Sequence, residues 1–231
     1  MAQVADHTAE QTSSGPFAFG AHLLRPWLVA NFVAFSISGA IGGTVLRSLL
    51  QPAIELAATR MEVARIGGLS TAAASLTLGL ALGLGQWLVL RRAIRASWWA
   101  PATCAGWILV GFLVGFNSGG ASWETRPEAG PITPFLPAVV TLPVIVVLLS
   151  AGQWLVLRRD CAGAYWWPLV TMGALFVAFF AGFVVAMSMP FLAPTDFPSG
   201  KALVIVGAVA GPIYGYFTWL YLAQLRRRAT S

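Results

Sequence analysis

Gly85-Gln86-Trp87-Leu88-Val89-Leu90-Arg91-Arg92 returns 67 residues later as Gly152-Gln153-Trp154-Leu155-Val156-Leu157-Arg158-Arg159. A diverged third copy follows as Thr218-Trp219-Leu220-Tyr221-Leu222, with Arg226-Arg227-Arg228 beyond it. Each copy is an apolar run that ends in a Trp and a block of arginines. Membrane-spanning helices leave the bilayer this way at an anionic surface, with Trp at headgroup level and Arg just outside it. Trp87, Trp154 and Trp219 are therefore expected at the interface, and so are Arg91, Arg92, Arg158, Arg159, Arg226, Arg227 and Arg228.

Working outward from the motif, the whole chain fits that reading. Of its 231 residues 58% are hydrophobic and only 10% charged, with mean hydropathy +0.76. Soluble domains carry about 25% charged residues. Six apolar runs lie near 24–46, 69–90, 98–117, 135–157, 166–188 and 202–225, each close to the ~20 residues that span hydrocarbon. Three open with tryptophan and proline, at Pro26-Trp27, Trp98-Trp99-Ala100-Pro101 and Trp166-Trp167-Pro168. Proline suits a first helical turn, where its missing N–H has no partner anyway, and the tryptophans read as interfacial anchors. The other three end in the repeated motif. Opening and closing helices thus alternate in three units, near 26–92, 98–159 and 166–228. Two spans per unit give every unit the same orientation, so the repeats are parallel. The expected fold is an all-α integral membrane domain over 21–231, with six transmembrane helices as three two-helix repeats. Residues 1–20 lack a signal peptide's positive start and apolar core, and are expected to form a disordered cytoplasmic tail.

Charge sets the expected orientation. Nine basic residues, from Arg25 to Arg228, flank one set of span ends, and five, from Arg47 to Lys201, flank the other. The positive-inside rule then places both termini in the cytoplasm, in the cell inner (plasma) membrane. The net charge of +6 sits at the ends of apolar runs rather than along a groove. Anionic lipid headgroups, not nucleic acid, are thus the expected partner. On the outer side, Glu55, Thr59 and Glu62 share one face of a short surface helix expected over 52–66. Residues 117–134 and 189–200, rich in Gly and Pro, are expected to be loops.

The closing helices carry the polar chemistry. Gly83, Ser150 and Gly215 stand three residues before Gln86, Gln153 and Thr218. Each helix therefore presents a small-residue groove that ends in a hydrogen-bonding side chain. Gln86 lies about 7 Å inside the basic rim at 1.5 Å per residue, where little water reaches an amide, so it should turn towards protein. In one reading the three polar residues bond across packed helices; in the other they converge on a binding site. Ala30, Ala34, Ser38 and Gly42 in the first span, and Gly207, Gly211 and Gly215 in the last, are further contact rows. Asn31 and Asn117 read as packing or cap residues. No Asp, Glu or Lys lies inside any span, and HExxH, GxSxG, Walker and GxGxxG patterns are absent. Proton relays and intramembrane metalloproteases need such groups. Cys104 and Cys161 have no metal or redox spacing. The expectation is no enzyme, no metal and no cofactor.

The phrase at 85–92 and 152–159 resembles a group of uncharacterised bacterial multi-pass membrane proteins that carry it at helix ends. That resemblance implies an integral membrane protein and no particular activity or ligand, and it fades in the third unit, where Thr218 replaces Gln. Mitochondrial carriers share the three-repeat layout, but their Pro-x-[Asp/Glu]-x-x-[Lys/Arg] signature is missing here. The substrate-binding subunits of energy-coupling-factor vitamin transporters share the six-span size and the Ala30–Ala34 spacing. The function expected is a non-enzymatic scaffold or accessory subunit, packing on a membrane-protein partner or a second copy. The alternative is a solute- or lipid-binding unit at Gln86, Gln153 and Thr218.

Overall fold

The computed structural model describes residues 19–45, 60–123, 135–189 and 200–227. Among these the chain is all-α: α1 (Leu24–Val45), α2 (Arg60–Leu90), α3 (Trp99–Trp123), α4 (Phe135–Asp160), α5 (Trp167–Met187) and α6 (Gly200–Leu222). Two 3-10 turns, Ala21–Leu23 and Ala164–Trp166, lead into α1 and α5. Among the described residues five helical segments are long and apolar enough to cross a membrane: Ala21–Ile41, Met61–Leu90, Trp99–Phe116, Ala164–Met187 and Lys201–Leu222. The protein has the character of a multi-pass membrane protein.

Two boundaries differ from those expected. The second helix does not start at 69 after a separate surface helix; one unbroken α2 runs from Arg60 through Gly67-Gly68. Its first turns hold good helix formers and bury Val63 and Ala64, while the exposed Glu62 suits the positive end of the helix dipole. Glu55 and Thr59 of the expected surface face lie outside the described residues. The third helix does not stop at 117 but continues to Trp123. Glycine costs a helix only about 1 kcal/mol, so Gly119-Gly120 is tolerated. The expected 189–200 loop and 1–20 tail lie almost wholly outside the described residues.

The helices pack in chain order, and α6 returns against α1 to close the ring. The α2–α3 and α1–α6 seams are the most extensive, and α4–α5 the least. Backbone proximity explains the strong seams. A Cβ on Gly211 would stand 2.6 Å from the Asn31 carbonyl oxygen, and one on Gly83 would stand 3.0 Å from that of Ala100. Glycine allows the first approach without a clash and eases the second. Ser150 takes the corresponding place in α4, and its seam with α5 is thinner.

Two apolar clusters stack along the ring. One, at the arginine-bearing end, gathers Trp27, Leu90, Trp99, Leu157, Trp167 and Leu222. The other gathers Phe35, Leu82, Trp107, Leu149, Leu175 and Tyr214. Phe176 and Phe180 of α5 point outward, 73% and 63% exposed, a surface suited to hydrocarbon or another helix. Two-residue strands finish the arginine-bearing end. β1 (Cys161–Ala162) pairs antiparallel with β2 (Arg226–Arg227), and Asp160 Oδ2 accepts the Arg95 backbone N–H at 2.6 Å. These bonds tie the α2–α3 linker, the α4–α5 linker and the end of α6 together.

Candidate functional site

Between the two apolar clusters lies a buried polar layer. Gln86, Gln153 and Thr218 occupy it, exposed by 1% or less. Their partners come from the first turns of α1, α3 and α5. Trp99 Nε1–H donates to Gln86 Oε1 at 3.0 Å, and Trp167 Nε1–H to Gln153 Oε1 at 3.0 Å. Trp27 Nε1–H donates to Thr218 Oγ1 at 3.2 Å. Each closing helix is thus held by the tryptophan of the next opening helix, and the third bond runs from the first helix back to the last. The ring is closed by hydrogen bonds as well as by packing.

The glutamines also reach the other way. Gln86 Nε2–H donates to Asn31 Oδ1 and Gln153 Nε2–H to Thr103 Oγ1, both at 2.9 Å. Asn31 and Thr103 lie one turn after Trp27 and Trp99, on the same helix face. One glutamine therefore bridges two opening helices, accepting from one and donating to the other. Asn31 Nδ2–H in turn donates to the Trp27 carbonyl at 2.7 Å. Away from water an unmet amide is costly, so these joints lock rotation as well as distance.

The joint at Thr218 is built differently. A hydroxyl has a single hydrogen, and this one bonds within its own helix, to the Tyr214 carbonyl at 2.7 Å. Nothing is left to reach α5. Thr171, one turn after Trp167, is fully buried there, and its Oγ1 has no hydrogen-bond partner among the described residues. Tyr214 stands where the other closing helices have Leu82 and Leu149, and its buried hydroxyl interacts with Gln86 and Thr171 without a well-formed bond to the latter.

The basic rim divides into two pairs and a strand. The Arg91 guanidinium covers Trp87, 5.0 Å from the ring centroid, and Arg158 covers Trp154 at 4.8 Å. Both are cation–π pairs one helical turn apart. Arg92 and Arg159 are exposed. Trp219 has no such partner among the described residues: α6 ends at Leu222, and Arg226 and Arg227 enter β2 instead of continuing the helix. Its indole N–H is buried without a bond among the described residues, and Arg228 lies outside them.

Tryptophans 27, 99 and 167 are the residues that sequence reasoning misassigned. Read as interfacial anchors, they are 1% exposed or less, because their indole N–H groups face inward. In each Trp-Trp pair the first ring, Trp98 or Trp166, lies outside, 63% and 51% exposed. A usable signal was present: a polar residue follows each buried Trp at four residues, as Asn31, Thr103 and Thr171.

Among the described residues no group of three His, Cys, Asp or Glu side chains is placed to hold a metal ion. No protein-family model, curated protein or solved structure matches this chain.

Proposed function

We propose that the chain is a non-enzymatic integral membrane scaffold or accessory subunit, built as three parallel two-helix repeats, that packs against a larger membrane complex. The observation that supports this most is the bonding of Gln86 and Gln153. Each buried amide bonds at both ends to neighbouring helices, so its first role is to fix the bundle. The outward faces remain for partners. Gly173 of α5 has open space around its Cα and shares a face with Phe176 and Phe180, the small-next-to-large relief that suits a docking helix.

In this reading the bundle sits in the inner membrane with both termini and the Arg-Trp rim cytoplasmic. Cysteine labelling in a background lacking Cys104 and Cys161 tests the orientation: a cysteine at Ser231 should react only from the cytoplasm, and one at Ser118 only from outside. Gentle purification with quantitative protein counting tests the role. A partner protein at fixed ratio is expected. A chain that purifies alone contradicts the scaffold.

One observation favours the second reading, a solute- or lipid-binding unit. Thr171 keeps a buried hydroxyl near Tyr214 with no well-formed hydrogen bond among the described residues, to which a polar ligand atom would bond. A small molecule retained at one per chain, with no partner protein, would decide for it.

A further inference from the structure

We propose that the α4–α5 linker forms one site for a phosphate-bearing anionic group, of the kind a phospholipid headgroup presents. A half-open groove of about 520 Å³ lies there, lined by Trp154, Arg158, Arg159, Tyr165 and the backbone of Gly163-Ala164. Two guanidiniums enter it from adjacent positions at the end of α4. Neither is in an ion pair among the described residues, and Arg158 is held in place over the Trp154 ring. Arginine forks match phosphate oxygens in a bidentate manner. The walls are aromatic, and Trp and Tyr prefer the depth at which a lipid's glycerol and phosphate lie.

The other copies of the motif are built differently at this place. Gln-Trp and Arg-Arg recur at 86–92, but the linker from Arg92 to Trp99 is one residue shorter than that from Arg159 to Trp167. The extra length is taken up at Gly163, whose φ of +84° is open to glycine and strained for other residues. The Tyr221 hydroxyl, which donates to the Gly163 carbonyl, and the β1–β2 pairing hold that bend. The outcome places Tyr165 across from the arginines, where the first linker has only Ser97. The third copy has no helical Arg pair at all. The site does not depend on the scaffold proposal and needs only that the helices cross a membrane.

The test uses the full chain in neutral detergent, titrated separately with phosphatidylglycerol and phosphatidylcholine, with bound lipid counted by native mass spectrometry. One phosphatidylglycerol per chain is expected, at least tenfold tighter than phosphatidylcholine. Replacing Arg158 and Arg159 with Ala should weaken it roughly thirtyfold, the equivalent of about 1 kcal/mol per arginine near a membrane surface. The same change at Arg91 and Arg92 should weaken it less than threefold. Should the Arg158/Arg159 variant fail to fold, Tyr165→Ala carries the test, with about a tenfold loss expected. Glycerol 3-phosphate as competitor separates the sources: no displacement assigns the site to lipid, and full displacement assigns it to a soluble phosphate. Equal affinity for the two lipids, or equal losses from the two arginine pairs, overturns the proposal.

Discussion

The joints at Gln86 and Gln153 and the joint at Thr218 stand at the same level of the ring, yet only the first two span it. A glutamine amide carries an acceptor and two donors on a long arm, so it takes a hydrogen from Trp99 or Trp167 and still gives one to Asn31 or Thr103. A threonine hydroxyl accepts from Trp27 and turns its one hydrogen back into its own helix. The difference teaches that closure and bridging are separable. The indole bond alone closes the ring at α1–α6, because Gly207, Gly211 and Gly215 already bring those backbones together. Bridging to α5 is what that joint lacks, and Thr171 is left with no well-formed hydrogen bond among the described residues.

Removing the bridges should have the largest effect. Gln86→Leu with Gln153→Leu deletes four interhelical bonds and orphans buried partners on three helices. At about 1–3 kcal/mol per glutamine, the double variant should melt well below the parent in detergent, as followed by circular dichroism. A variant that melts higher would show that the amides are a strained site instead of clasps. Closing the gap at the strong seam comes next. Gly211→Ala pushes a methyl group into the Asn31 carbonyl, and overpacking of this kind costs about 1–3 kcal/mol. Gly173→Ala, which meets nothing within 4 Å, should be neutral or stabilising by up to about 1 kcal/mol. Equal losses from the two would remove close approach as the reason for glycine in the seam.

The indole bonds follow. Trp99→Phe keeps most of the ring but leaves Gln86 Oε1 without its donor, at a cost of about 1–2 kcal/mol beyond the lost packing. Trp27→Phe leaves Thr218 still bonded to the Tyr214 carbonyl, and its loss should be smaller by about 1 kcal/mol. A thermal-shift series on the two variants reads the difference directly, and the reverse order would mean that the Thr218 joint is the stronger one.

The apolar runs were readable in the sequence because hydrocarbon thickness leaves little choice of length. The burial of Gln86 and Gln153 was readable from their depth. What was not readable depends on neighbours far along the chain. Trp27 finds Thr218 across 191 positions, and the polar residue four places after each inward tryptophan acquires meaning only once its partner on another helix is known. Helix ends failed for a related reason: Gly67-Gly68 looks like a break, but close packing of Gly68 on Phe112 overrides a weak local preference, and Gly119-Gly120 is tolerated within the helix. The pairing of Cys161 with Arg227 is a backbone event with no pattern in the side chains.

The claim that hydrogen-bond pairing, rather than residue type, sets each joint is tested most directly by one pair of isosteric changes. Thr103 and Thr171 are both threonine, both one turn after a buried Trp and both fully buried, but Thr103 accepts from Gln153 and Thr171 has no well-formed hydrogen bond among the described residues. Unfolding free energies of Thr103→Val and Thr171→Val should be measured side by side in the same detergent. Thr103→Val should lose about 1–2 kcal/mol by stranding the Gln153 amide, whereas Thr171→Val should be neutral or gain up to about 1 kcal/mol by removing an unpaired hydroxyl. Equal losses at both positions would contradict the account, since Thr171 would then be a working member of a third bridge.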